Sequence, residues 1–189
     1  MKEFKRYYNL EKYLFEELGE KFQRDQNLNV FDFFCIVIWK ANRAKSKVAY
    51  RIRSKEQDLE KAIMEITQSI YQATDDKQRL FILMEVWKLR LPMSTAILSV
   101  LYPDRFTVYD YRVCEQIGEY RDLGNKINFD SIWMGYCQYK DSVHEFVASE
   151  DQLREKDKCL WGKSFHDDLM EDIRKGFPVK SKISGDDGH

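Results

Sequence analysis

The stretch VWKLRLPMSTAILSVLYPDRFTVYDYRVCEQI, residues 86–117, decides the fold because it sets several short helices close together along the chain. Its apolar spacing predicts two short helices joined by a tight turn at residues 90–93. Ser94 and Thr95 open the second helix, where their hydroxyl groups can cap its first turn or donate to a bound phosphate. The stretch therefore predicts a helical hairpin.

Asp110 stands where the chain enters the next helix. A loop with Pro103 follows the hairpin, and residues 106–108 form a short extended approach to Asp110. A new helix is predicted over residues 111–117. Thr107 and Asp110 have the spacing of a capping box, and an acid in a first helical turn is stabilising. These residues leave two interpretations of Asp110 open, a helix cap and a catalytic carboxylate.

The rest of the chain shows the same helical spacing. Apolar residues recur every three or four positions over 4–22, where only Glu11 breaks the pattern, and over 59–73, 129–147 and 161–173. Residues 30–53 begin wholly apolar and end rich in Ala, Lys and Arg, and their length predicts one helix of about 20 residues or more. We predict an all-α bundle of about eight helices in one or two lobes, forming a single domain over 1–175. A flexible tail over 176–189 is expected to follow it.

The composition argues against several classes of protein. The 189 residues include 43% apolar residues, enough to fill a core, but only 8 Gly and 3 Pro, too few for an all-β fold. No apolar run approaches the roughly 18 residues of a membrane span, and we expect no signal peptide ahead of the four cysteines. Those cysteines are too dispersed for a disulfide scaffold or an iron–sulfur cluster. We expect a cytoplasmic monomer with no membrane segment, metal or cofactor.

Positive charge is concentrated in one segment of a chain whose net charge is −1. Residues 33–55 contain no acidic residue and seven basic ones, namely Lys40, Arg43, Lys45, Lys47, Arg51, Arg53 and Lys55. A nucleic-acid backbone is the usual partner of such a cluster, since each neutralised phosphate releases condensed counterions. The alternative is that the segment packs against acidic residues of the same chain, such as Glu16, Glu17 and Glu20.

Charge is distributed differently near the end of the chain. Residues 153–163 interleave basic and acidic side chains, which favours a solvated helix face. Trp161 is expected to be a packing anchor in this helix. The sequence therefore predicts no binding site there.

The hairpin and the segment after it resemble the corresponding region of the helix-hairpin-helix DNA glycosylase superfamily, in particular its 8-oxoguanine glycosylase-like members. The residues similar to the family's hairpin and second helix are Leu91, Thr95, Ala96, Ile97 and Leu98. The residues similar to its aspartate motif are Val108, Asp110, Arg112 and Val113, within VYDYRV. The resemblance implies that the all-α domain has this glycosylase-like fold.

The resemblance also implies an activity, the excision of a base from double-stranded DNA. Asp110 would stabilise the sugar cation that forms as the N-glycosidic bond breaks. This chain departs from the family at residues 90–93, R-L-P-M, which lack the hairpin glycines. Ser94 stands where bifunctional members have a nucleophilic lysine, so no lyase activity is implied unless Lys88, a turn upstream, replaces it.

The basic segment and the hairpin together predict the DNA-contacting residues. They are Lys40, Asn42, Arg43, Lys45, Lys47, Arg90, Ser94, Thr95 and Arg112. A flipped-out base needs an aromatic pocket, for which Phe31, Phe33, Phe34, Trp39, Tyr109 and Tyr111 are the candidates, although core packing is the commoner role of such residues. Two other functions stay open, a non-catalytic DNA-binding module on the same scaffold and an all-α interaction protein.

Overall fold

The computed structural model describes residues 2–177, and within that range the chain is helical and contains no β-strand. The α-helices are α1 (Leu10–Lys12), α2 (Gly19–Asp25), α3 (Val30–Ala41), α4 (Lys45–Arg53), α5 (Leu59–Gln72), α6 (Asp76–Phe81), α7 (Leu91–Leu101), α8 (Tyr111–Ile117), α9 (Phe129–Phe146) and α10 (Leu153–Arg174). π-Helical turns over Tyr13–Leu18 and Ile82–Val86 join α1 to α2 and extend α6. Short 3₁₀ turns cover Lys2–Tyr7, Asn42–Ala44 and Leu123–Asn125. The all-α prediction is confirmed, while residues 178–189 of the predicted tail lie outside the described residues.

A connected cluster of buried apolar side chains forms the core and extends from Tyr13 to Leu160. Helix α7 lies inside it, since every residue of that helix except Pro92 is buried. A helix that is apolar on all sides is typical of such a central position. No helix of residues 2–177 combines the length and the apolar character needed to cross a bilayer.

Side-chain caps explain where several helices begin. The cap residues whose side chains accept from a backbone N–H of the first turn are Asn9, Asn29, Asp58, Asp75, Asp110 and Asn128, before α1, α3, α5, α6, α8 and α9. Such caps satisfy N–H groups that have no partner within the helix. The predicted capping box of Thr107 and Asp110 is wrong, because Asp110 is itself the cap and the buried Thr107 hydroxyl has no partner among the described residues.

The predicted single helix over 30–53 is also wrong. The chain breaks at Ala41, whose backbone is extended, and a 3₁₀ turn separates α3 from α4. The change of direction lets Val48 and Ile52 of α4 enter the core while the basic residues of α4 stay outside. The free energy gained by burying these two apolar side chains exceeds that lost where the helical hydrogen bonds are interrupted.

The hairpin turn lies earlier in the chain than predicted. Helix α7 begins at Leu91, with Pro92 in its first turn, where a missing N–H costs no helical hydrogen bond. Ser94 and Thr95 are consequently interior residues of α7 rather than its caps, and both are 0% exposed. The turn itself lies at residues 87–90, between the π-helical end of α6 and α7.

Residues 106–110 lie between α7 and α8 along the chain and are extended. Side chains of α7 and α9 supply their hydrogen bonds. Thr95 Oγ1 accepts from the Tyr109 N–H at 2.9 Å. The Tyr136 hydroxyl accepts from the Thr107 N–H and donates to the Thr107 carbonyl, at 3.0 and 2.7 Å. The Tyr139 hydroxyl donates to the Val108 carbonyl at 2.8 Å. These bonds fix the backbone that carries Asp110.

Candidate active site

A cavity of about 470 Å³ opens beside the first turn of α8. Its lining residues are Glu11, Trp39, Lys40, Val108, Asp110, Arg154, Asp157, Lys158 and Trp161. They come from α1, α3, the segment before α8, and α10. The fold thus gathers charged and aromatic side chains from both ends of the chain around Asp110.

Lys40 and Asp110 form an ion pair in this cavity. Lys40 Nζ donates to Asp110 Oδ2, and the two side chains are only 14% and 21% exposed. Asp110 Oδ1 accepts from the Arg112 N–H at 2.9 Å, which caps α8. Asp110 is therefore a helix cap and also a carboxylate on the cavity surface, so the two sequence-based interpretations are compatible.

Arg154, another lining residue, is held by two carboxylates and two aromatic rings. Its guanidinium donates to Asp157 Oδ2 and, at 2.8 Å, to Glu11 Oε1. The guanidinium carbon lies 4.8 Å from the ring centre of Phe15 and 5.1 Å from that of Trp39. Such cation–π contacts and charged hydrogen bonds orient the group. Arg154 thereby joins α1, α3 and α10.

The carboxyl group of Asp157 is buried in the wall of the cavity. Burial raises the pKa of Asp157 from 3.8 to about 6. The positive charges of Arg154 and Lys40 oppose this rise, whereas the charge of Asp110 adds to it. The effect of burial on the pKa is larger than that of the ion pair, because the contact with Arg154 only partly compensates for the hydration that the carboxylate loses.

Two tryptophans form the aromatic walls. Trp39, one of the predicted pocket residues, packs edge-on against Phe15 with ring centres 5.4 Å apart. Trp161 is 44% exposed and stacks on Phe165 at 5.9 Å, so its predicted role as a packing anchor is wrong. Among the other aromatic candidates, Phe33 and Tyr109 are buried in the core, and Phe34 is half-buried and packs against it. Phe31 and Tyr111 are exposed and do not line the cavity.

Most of the basic segment is exposed to solvent, and its first basic residue, Lys40, lines the cavity. Arg43, Lys45 and Lys47 extend into solvent from the 3₁₀ turn and α4, and Asn42 accepts from Lys45 Nζ at 2.9 Å. Within the described part of the chain, Lys40 is the sole member of this segment with a carboxylate in ion-pair range. Among the described residues, the alternative of internal pairing is therefore observed at Lys40 alone, while Glu16 and Glu17 pair outside the segment, with Lys12 and Arg6.

Four predicted site residues lie elsewhere than expected. Ser94 and Thr95 are sealed in the core and do not reach a DNA surface. Arg112 pairs with Asp168 at 2.6 Å and lies over Trp161, with 5.4 Å between its guanidinium carbon and the ring centre. Lys88 is exposed, pairs with Glu85 and does not line the cavity, so the amine beside Asp110 belongs to Lys40 instead. Arg90 is exposed at the start of α7, as a DNA contact requires.

The sequence analysis missed several cavity residues, namely Glu11, Arg154, Asp157, Lys158 and Trp161. Glu11 left a signal, since it alone breaks the apolar stripe of residues 4–22. The residues of α10 left none, because their charges alternate as they do on a solvated helix. Lys156 and Asp157 are nevertheless buried, and Lys156 Nζ donates to the His144 carbonyl at 2.8 Å.

The cavity has to be interpreted from its own chemistry. No protein-family model, curated protein or solved structure matches the chain. Across residues 2–177, no three His, Cys, Asp or Glu side chains converge as a metal site would require. The cavity presents three carboxyl groups, two amines, a guanidinium and two indoles to a bound molecule.

Replacing Asp157 by Asn tests the burial of its carboxyl group. The pKa of Asp157 is about 6 in the folded protein and near 3.8 in the unfolded chain. The folded state therefore binds the carboxyl proton more tightly, and ionisation of Asp157 destabilises the folded state. As the pH rises from about 4 to about 6, we expect the wild-type free energy of unfolding to fall by roughly 2–3 kcal/mol more than that of Asp157→Asn. Urea denaturation at several pH values measures this difference.

The matched control is Asp172→Asn, which changes an exposed carboxyl group of the same helix. Its free energy of unfolding should follow the wild-type curve across this pH range. Parallel curves for wild type and Asp157→Asn would contradict the raised pKa.

Proposed function

We propose that this protein is a DNA N-glycosylase with the helix-hairpin-helix glycosylase-like fold, in which Asp110 stabilises the sugar cation formed during base excision. The observation that carries the proposal is the position of Asp110, the aspartate of VYDYRV, in an open cavity with two tryptophan walls. A residue with only a capping role would not need such a cavity. The adjoining exposed basic segment adds a surface for the DNA backbone.

The chemistry needs an anion beside the reacting sugar. Breaking the N-glycosidic bond develops positive charge on the sugar ring, and a fixed carboxylate in a site with little water lowers the energy of that charge. Lys40 and the Arg112 N–H hold the Asp110 carboxylate in place. The same groups therefore orient the anion before the substrate arrives.

The base must leave the DNA stack before it reaches Asp110. Trp39 and Trp161 offer flat apolar faces to an extruded base, and the cavity volume is within the range of small-molecule sites. Arg154, Glu11 and Asp157 supply donors and acceptors for the polar edge of the base. This division into flat walls and a polar end matches the shape of a nucleobase.

The duplex would contact the basic segment. Lys40 lies in the cavity, and Arg43, less than one helical turn further along the chain, is exposed. Phosphates that flank an extruded nucleotide can therefore meet Arg43, Lys45 and Lys47 while its sugar meets Asp110. Arg90 is the remaining candidate for a contact from the hairpin, since Ser94 and Thr95 are buried.

A second candidate activity is cleavage of the resulting abasic site. It is favoured by one observation, the contact between Lys40 Nζ and Asp110 inside the cavity. Once the Lys40 amine has lost its proton, it can add to the C1′ aldehyde of the opened abasic sugar and, with loss of water, form a Schiff base. Loss of a C2′ proton from the Schiff base then expels the 3′ phosphate and breaks the strand. This candidate replaces the sequence-based one, in which Lys88 was the displaced nucleophile.

Asp110→Asn tests the proposed reaction. Asparagine keeps the shape and can still cap α8, but it removes the negative charge. We expect single-turnover base release to fall by about a hundredfold or more, with duplex affinity unchanged or higher. The measurement is base release from duplex oligonucleotides carrying a panel of damaged and modified bases, followed by alkaline cleavage.

The control is Asp75→Asn, which changes a helix cap outside the cavity and should leave base release intact. Full activity of Asp110→Asn would remove this residue from the mechanism. If the wild-type protein binds duplex DNA and releases no base, the non-catalytic module is the correct function. If the wild-type protein neither binds duplex DNA nor releases a base, the correct function is that of an all-α interaction protein.

Charge reversal at Arg43 and Lys47 tests the DNA surface. If the protein makes three to five phosphate contacts, log K should fall with log salt at a slope of about −3 to −4. The double variant Arg43→Glu/Lys47→Glu should bind all duplex sequences more weakly and with a slope shallower by about 2. A fluorescence anisotropy titration at several salt concentrations measures both quantities.

The matched control is the double variant Lys77→Glu/Lys175→Glu, which changes the net charge by the same amount. Both lysines lie outside the basic segment and pair with carboxylates. Equal loss of affinity in the two double variants would mean that net charge, and not the basic segment, determines binding. Unchanged affinity in Arg43→Glu/Lys47→Glu would contradict the proposed surface.

Borohydride trapping separates the two candidate activities. Hydrolysis alone yields intact abasic sites, whereas lyase activity through Lys40 yields a covalent protein–DNA adduct that Lys40→Met abolishes. In either case we expect Lys88→Ala to leave the products unchanged, because Lys88 does not line the cavity. An adduct that is lost in Lys88→Ala would overturn the assignment of Lys40.

A further inference from the structure

Asp157 is a second carboxyl group on the cavity wall, and stabilisation of the sugar cation by Asp110 does not involve it. It lies in the first half of α10 and is 2% exposed, yet it lines the cavity together with Asp110. Its Oδ2 accepts from Arg154, while no described residue donates a hydrogen bond to Oδ1. Asp157 thus lines the cavity and keeps one oxygen without a hydrogen-bond donor among the described residues.

We propose that Asp157 is the proton donor to the departing base, a role that rests on the proposed glycosylase activity. The bond between C1′ and the ring nitrogen breaks, and its electron pair goes to the base. The carboxyl proton of Asp157 transfers to an acceptor atom of the base, which leaves as a neutral molecule. Water adds its oxygen to C1′, its proton passes to solvent, and Asp157 is reprotonated from solvent.

The environment of Asp157 suits a proton donor. Burial raises the pKa of Asp157 to about 6, so part of the population is protonated near neutral pH. A base in the cavity would displace more water, which favours the uncharged acid further. The charged and titratable groups that face Asp157 are Arg154 on its own helix, Lys40 on α3, Asp110 before α8, and Tyr136 and Tyr139 on α9, with Glu11 of α1 beyond Arg154.

The other two carboxylates are less suited to this task. Asp110 has the Lys40 ammonium as its direct partner and is needed as an anion at the sugar. Glu11 accepts from Arg154 and lies 3.6 Å from Lys158, with a side chain that is 38% exposed. Two carboxyl groups in contrasting environments, one paired with an ammonium and the other buried, can divide the anion and acid roles between them.

The assignment narrows the class of substrate. A base that is uncharged in DNA departs as an anion unless it is protonated, so it needs an acid. A base that already carries a fixed positive charge departs as a neutral molecule and does not. The cavity is therefore built for uncharged bases with a ring nitrogen or carbonyl acceptor.

The test is the pH dependence of single-turnover base release between pH 5 and 8, using the full chain and an uncharged base that the wild-type protein excises. We expect the wild-type rate to fall towards tenfold per pH unit above about pH 6. Asp157→Asn should be slower by about 10²–10⁴-fold near pH 5.5 and should have a flat profile. Asp172→Asn, an exposed change on the same helix, should keep the wild-type profile.

The outcomes separate this inference from the proposed function. A wild-type protein that releases no base of the panel at any pH overturns the glycosylase and, with it, the proton donor. An active wild-type protein with a flat profile overturns the proton donor alone, whether or not Asp157→Asn folds. An Asp157→Asn protein with the wild-type rate and profile overturns it as well.

Discussion

Three buried hydroxyl groups hold residues 106–110 extended between α7 and α9, and the position of Asp110 depends on them. Thr95, Tyr136 and Tyr139 take the place that neighbouring strands would have in a sheet. Buried backbone N–H and carbonyl groups need such partners, because leaving one unpaired costs about 1–3 kcal/mol. The segment is thereby tied to buried residues of α7 and α9, and Asp110 is its last residue.

Two ion pairs then bring the walls of the cavity together. Lys40 with Asp110 joins α3 to the start of α8, and Arg154 with Asp157 spans one turn of α10 while Arg154 also reaches α1. The two carboxyl groups differ in their access to water, since the side chain of Asp157 is 3% exposed and that of Asp110 is 21% exposed. Burial raises the pKa of Asp157 despite its ion pair, and this contrast between the two carboxyl groups supports the proposed division of roles between them.

The sequence located part of the site. The VYDYRV segment led to Asp110, the basic segment contained Lys40, and the break at Glu11 marked a polar residue on an apolar helix face. Lys88 does not line the cavity, because proximity along the chain to the hairpin did not bring it there. Asp157 and Trp161 could not be found, because interleaved charges and a single aromatic residue look the same on a solvated helix and on a cavity wall.

The sequence by itself determined the helical class, through apolar spacing and scarce Gly and Pro, and it singled out Asp110 at a helix start. Both signals are local, since periodicity and capping involve residues within a few positions of each other. Only the tertiary structure decided which charges meet in the cavity. The contacts of Lys40 with Asp110 and of Arg154 with Glu11 join residues 70 and 143 positions apart, and such pairings depend on how the helices pack.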